Sequence, residues 1–154
     1  MEKKWYLTCH KSGCSNLYKA QQALIQIEVH SLSPSIQTWR QRLDRKNKRA
    51  VIEPLFKGYL FTCFDPEKIP TRKIEHCAGI SHLVRFANTI VPIREAVMQE
   101  IMRFPLCMND ETRTNHKITT SLKESQKEQI KNIVQKKEAH ARTALFLAFL
   151  EAIQ

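Results

Sequence analysis

The segment Glu53-Pro54-Leu55-Phe56-Lys57-Gly58-Tyr59-Leu60-Phe61-Thr62-Cys63-Phe64 constrains this chain more than any other. It is aromatic and β-prone, and it holds one of only three glycines in the sequence. Phe56, Tyr59 and Phe61 do not share one face at a period of two, so Lys57-Gly58 predicts a bulge or a sharp bend. Beyond the bend the alternation is regular, with Tyr59, Phe61 and Cys63 set against Leu60, Thr62 and Phe64. The segment reads as a central sheet strand, one aromatic row of which stays open as a docking patch for another protein.

A chain of 154 residues accommodates one ordinary domain, or one domain and a small appendage. Its 42% hydrophobic and 26% charged residues are globular values. No apolar run reaches the length of a membrane span, and Met1-Glu2-Lys3-Lys4-Trp5 lacks the apolar core of a signal peptide. A cytoplasmic address and a monomer are expected, with no membrane partner. Five cysteines, an odd number, favour reduced thiols over a disulfide framework. The net charge of +10 points to a polyanionic partner. Residues 1–104 carry 17 Lys and Arg against 9 Asp and Glu, so +8 of that charge sits in the front of the chain.

Trp5 to His10 reads as a first strand, broken at Lys11-Ser12-Gly13. Ser15 or Asn16 is placed to cap a helix running to about Glu28, with Leu17, Ala20, Leu24 and Ile27 at helical spacing. Val29 to Leu32 is a short strand, ended by Ser33-Pro34. Thr38 to Ile52 reads as a hairpin with a very basic tip, turning at Lys46-Asn47-Lys48. A solvated loop and a nucleic-acid contact both fit those cations. Asp65-Pro66-Glu67 opens a helix to about His76, with its first turn interrupted by Pro70. Gly79 ends it, Ile80 to Phe86 is a strand, and Pro92 to Glu95 starts a helix with Val97, Met98 and Ile101 as its apolar stripe. The order β-α-β-β-β-α-β-α predicts an α+β fold, an antiparallel sheet flanked by helices.

Pro105 to His116 is polar and uneven and reads as a linker. Residues 117–154 contain neither Gly nor Pro. Leu122 to Ile130 is made of helix formers, and Ser121 with Glu124 fits a capping box. Glu138 to Leu150 ends in an unbroken apolar run, where periodicity alone does not separate strand from helix. The flanking Ala, Glu and Gln favour a helix, and its all-round apolarity requires burial.

Three separated motifs carry a resemblance. Trp5-Tyr6, then Pro54-Leu55-Phe56-Lys57-Gly58-Tyr59-Leu60-Phe61, then Gly79-Ile80-Ser81-His82-Leu83-Val84-Arg85-Phe86, resemble the N-terminal domain of the NusG family of transcription elongation factors. Glu53-Pro54-Leu55-Phe56, Phe64-Asp65-Pro66-Glu67 and Ser81-His82-Leu83-Val84-Arg85-Phe86 look most like its specialised RfaH branch. The resemblance spans about residues 4–104 and fades after Pro105. It implies a polymerase-binding domain over residues 1–104, a linker over 105–116 and a C-terminal domain over 117–154. In the family that last domain is usually a small β-barrel, the KOW domain, whose turns depend on glycine. In the RfaH branch it is a helical hairpin laid over the polymerase-binding face and able to refold.

The resemblance further implies antitermination without catalysis and without a cofactor. Leu55, Phe56, Tyr59, Phe61, Val84, Phe86 and Val97 would bind the clamp helices of bacterial RNA polymerase. Pro70, Thr71 and Arg72 would touch its gate loop, where Thr71 alone keeps the branch pattern. Lys11, Ser12, Asn16, Lys19 and Gln22 would contact the non-template DNA strand, although Ala23, Gln26 and Ala78 depart from the branch there. Glu53 and Arg142 would form a domain-bridging ion pair, with Leu145, Phe146, Phe149 and Leu150 buried around it at about 1.5–3 kcal/mol each. The resemblance also implies a ribosomal protein as a further partner for the C-terminal part. Two rival readings are a general NusG-like factor with a barrel tail and a basic RNA-binding or ribosome-associated protein.

Cys9-His10, Cys14 and His76-Cys77 do not match tetrahedral zinc spacing, and Cys9 falls in a predicted strand. Cys63 reads as a core or edge thiol, and Cys107 as a linker thiol. The sequence holds no phosphate-binding glycine loop, paired-carboxylate motif or His-x₃-His.

Overall fold

The computed structural model describes residues 2–41, 48–104 and 122–153. Strand β1 (Lys4–His10) lies at the middle of a four-stranded antiparallel sheet, followed by helix α1 (Cys14–Gln26) and strand β2 (His30–Leu32). Strands β3 (Ser35–Gln41) and β4 (Lys48–Pro54) form a separate hairpin. Then come β5 (Tyr59–Phe64), α2 (Thr71–Glu75), β6 (Ile80–Leu83) and α3 (Glu95–Met102), and finally α4 (Glu124–Val134) and α5 (Ala139–Ala152). The main sheet runs β2-β5-β1-β6.

Because side chains alternate along each strand, the sheet carries two cores. Tyr6, Leu60 and Phe64 face α1 and α2, where they meet Ala20, Leu24 and Ile74. Leu7 and Phe61 point the other way, into a cluster with Leu55 and Phe56, the α3 residues Val97, Met98 and Ile101, and side chains of α4 and α5. Between the strands, the buried Thr8 and Thr62 satisfy each other through their hydroxyls at 2.9 Å.

The structure corrects several sequence expectations. Residues 53–64 are not one bulged strand. Glu53 and Pro54 end β4, residues 55–58 turn, and only Tyr59 onward belongs to the central β5. Four strands therefore stand between α1 and α2, one more than the expected order held. Gly58 sits at φ +91°, so the bend uses a backbone region that L side chains rarely adopt. The hairpin starts at Ser35 rather than Thr38, and Lys48 is a strand residue opposite Gln41; the remainder of the expected turn lies outside the described residues.

Helix α1 begins at Cys14, with Gly13 as its N-cap, not at Ser15 or Asn16. The expected helix from Asp65 is a turn instead. The Asp65 carboxylate accepts the Glu67 amide at 3.0 Å, and its carbonyl accepts the Lys68 and Ile69 amides. Pro70, which has no amide to join a helix already under way, then serves as N-cap to the five-residue α2. Strand β6 stops at Leu83, and Phe86 pairs with Thr89 around Ala87 and Asn88, both at positive φ. The expected linker, with Cys107 and Ser121, lies outside the described residues, and α4 starts at Glu124 with Lys123 at its N-cap. There Gln126 Oε1 accepts the Lys123 amide at 3.1 Å.

Candidate functional site: an aromatic sheet face under a helical cover

The turn after β4 swings Leu55 and Phe56 onto the face of β5 that carries Phe61. Phe56 and Phe61 meet edge to face, with centroids 6.1 Å apart. Helix α5 lays Phe146 into the angle between them. Its ring stacks on Phe56 at 4.2 Å and 11°, and stands edge-on to Phe61 at 6.0 Å and 80°. All three rings are buried. Offset-stacked and edge-to-face aromatic pairs add about 0.5–1.5 kcal/mol beyond their burial.

Within the apolar run of α5, the buried residues are Arg142, Phe146, Phe149 and Leu150, a stripe at helical spacing. From α4, Ile130, Ile133 and Val134 join the same cluster. Leu145 departs from expectation. It is 42% exposed because one residue's rotation from Phe146 turns it to the outer groove shared with α4, and half-buried Leu147 packs against the core instead. Leu55, Phe56, Phe61 and Val97 are fully covered, while Tyr59, Val84 and Phe86 are half-buried at its edge.

Arg142 is the polar centre of this contact and is 0% exposed. Its Nη2 donates to Glu53 Oε1 at 2.8 Å and to the Pro54 carbonyl at 3.4 Å, and its Nε to the Leu55 carbonyl at 2.9 Å. Its Nη1 reaches back to the carbonyls of Lys136 and Lys137, at 2.8 and 3.2 Å. One guanidinium thus holds the turn between α4 and α5 and fastens it to the β4–β5 bend. Sequence reasoning paired Arg142 with Glu53 alone, since backbone acceptors leave no trace in residue identity. A second tie was also missed, from Arg94 Nη2 to the Ile153 carbonyl at the end of α5, 3.1 Å.

Elsewhere on this face burial pushes the Cys9 thiol up. Burial, then Glu95, does the same for Cys63 against the opposing pull of Lys3. Tyr59 is raised by burial and then by Cys9. Both cysteine shifts hold the thiols further towards the protonated form, the weaker nucleophile. Among the described residues no group of three His, Cys, Asp or Glu is placed to hold a metal ion. Nor is any described helix long and apolar enough to cross a membrane.

The other expected residues lie on the opposite side of the sheet. Pro70 is exposed at the start of α2, Thr71 is half-buried and Arg72 exposed. Lys11 and Ser12 sit on the exposed turn before α1, whose Asn16 donates from Nδ2 to the Ser12 carbonyl at 2.7 Å. Lys19 and Gln22 follow, exposed on the helix. These five are spread along α1 and the turn before it, apart from the aromatic cluster.

Fold and site together define a class: an antiparallel α+β unit whose apolar sheet face is closed by a helical hairpin of its own chain. A family model described as "Transcription termination factor nusG" matches residues 3–102. The chain belongs to the NusG family of transcription factors. Among solved structures it is similar to that of Thermotoga maritima NusG, a study of domain interaction, at 21% identity and a TM-score of 0.42. That match covers 80% of this chain and 69% of the other.

Proposed function

We propose that this protein is an RfaH-like antitermination and elongation factor, held inactive by its own C-terminal hairpin. The face around Phe56, Tyr59, Phe61, Phe86 and Val97 would bind the clamp helices of bacterial RNA polymerase once α4 and α5 leave it. Glu53 and Arg142 would serve as the lock between the two parts. The observation that carries this reading is the seat of Phe146 between Phe56 and Phe61. A hydrophobic face cannot serve a partner and its own cover at once, so docking and binding compete for one surface.

Lys11, Ser12, Asn16, Lys19 and Gln22 would contact the non-template DNA strand, and Pro70, Thr71 and Arg72 the polymerase gate loop. These residues lie on the α1 and α2 side, clear of the hairpin. DNA could therefore engage the closed form, and it would favour opening only through contacts that the open form adds. A ribosomal protein is the proposed partner of the C-terminal part after release.

The experiment compares binding of core RNA polymerase by the full chain and by Phe146→Ala. Removing a buried Phe costs about 3–5 kcal/mol, and here that cost falls on docking rather than on the exposed partner surface. Phe146→Ala is expected to bind polymerase more tightly than the unaltered chain. Equal binding would mean that the hairpin masks nothing, and no binding by either would remove polymerase as the partner.

A further inference from the structure

We infer that Tyr18 is a stacking platform for a base of single-stranded nucleic acid, on the face of α1 turned away from the helical cover. The inference rests on reading α1 as a nucleic-acid contact, and adds the residue that engages the base. Tyr18 is 64% exposed on α1, outside the buried cluster that α1 joins through Ala20 and Leu24, and α1 contains no Asp or Glu from Cys14 to Gln26. Lys19 is its neighbour, Lys11 precedes the helix, and Gln22 lies one turn on at i+4, on the same side as the ring.

Cations for phosphates, a π-face for bases and an amide for base edges make up the equipment of a single-strand site. The surroundings share the same sign. Helix α2 packs through Ile74 into the cluster that buries Ala20 and Leu24, and its Arg72 and Lys73 are exposed. The carboxylate on α2, Glu75, is held by Arg85 at 2.8 Å and by the Leu83 amide at 3.1 Å. A protein partner fits less well. The other exposed apolar residue of α1, Ile25, lies two turns from Tyr18, about 10 Å along the axis. The half-buried Gln21 and the exposed Gln22 stand between them, so the two form no continuous apolar face.

The test uses the full chain and two labelled strands of equal length, one a mixed-sequence DNA and one abasic, followed by fluorescence anisotropy over a salt series. The unaltered protein is expected to prefer the base-bearing strand. Tyr18→Ala should lose that preference, binding the mixed strand roughly 5- to 150-fold more weakly, while Tyr18→Phe keeps it. The salt slope should be unchanged in Tyr18→Ala and shallower by about 0.7 in Lys19→Gln. If Lys19→Gln weakens binding but Tyr18→Ala does not, stacking is wrong while α1 remains a nucleic-acid contact. Absence of binding to both strands overturns the stacking and the α1 reading together. Should Tyr18→Ala instead weaken polymerase binding with strand binding intact, the face docks protein and the inference falls.

Discussion

Replacing Arg142 by alanine tests whether one side chain couples closure of the hairpin to its docking. Of its five hydrogen bonds, three cross to Glu53, Pro54 and Leu55, and two stay within the hairpin at Lys136 and Lys137. Summing charge-assisted bonds at about 1.5–3 kcal/mol each would overshoot, because the guanidinium must first leave water. Removing one partner of a buried ion pair costs about 3–5 kcal/mol, a shift of roughly 100- to 4,000-fold in the docking equilibrium.

Glu53→Ala leaves the guanidinium four backbone acceptors, and the carboxylate side of the pair is 15% exposed. Its effect should be smaller, about 1–3 kcal/mol. Arg142→Lys should fall near the alanine variant, since a point charge cannot fork towards both sides. Two readouts follow the equilibrium: hydrogen exchange of the α5 amides and apparent affinity for core polymerase. The affinity gain stops once the open form dominates. If Arg142 acted only as the partner of Glu53, Arg142→Ala would match Glu53→Ala and add nothing to it. That result would refute the coupling.

Other expected outcomes concern the frame and its pH dependence. A Cβ at Gly79 would overlap the Asn16 carbonyl oxygen and meet the Ala20 nitrogen at 2.9 Å, at φ +80°. At Gly58, φ +91°, it would meet nothing within 4 Å. Urea titration should therefore give a loss of about 1–2 kcal/mol for Gly58→Ala and a distinctly larger one for Gly79→Ala. Phe149→Ala should destabilise by about 3–5 kcal/mol, and Leu145→Ala by far less, as thermal melts would record. Burial works to raise Glu75, but the Leu83 amide and Arg85 outweigh it and hold its carboxyl below the ordinary value. Its stabilising contribution is thus present above the unfolded-state pKa and lost as pH falls through the lower folded value. Acid titration of Glu75→Gln should show a shallower loss of stability in that range than the unaltered chain.

The helical stripes were legible because their period is written in the sequence. Ala20 with Leu24, and Val97 with Met98 and Ile101, are buried as their spacing requires. Boundaries set by local backbone chemistry were less so. Glu28 lies in the turn just past α1 at φ +60°, and Ala87 with Asn88 turns at positive φ, where sequence habit would place glycine. The bonds around them are local and run backbone to backbone, the Glu28 amide donating to the Ile25 carbonyl and Phe86 pairing with Thr89, and such groups leave no mark in residue identity.

Sequence by itself determined the α+β class, the aromatic β5 and the helical bias of a tail with neither Gly nor Pro, since propensity and periodicity are properties of short segments. Only the tertiary structure decided which face of α5 is inward. In a run apolar on every side, the hydrophobic effect supplies a demand for burial but no direction. The direction came from the shape of the partner surface, where Phe146 fills the angle between Phe56 and Phe61 and leaves Leu145 outside. It came also from the carbonyls that gather around Arg142, which every sequence possesses and only a fold can aim.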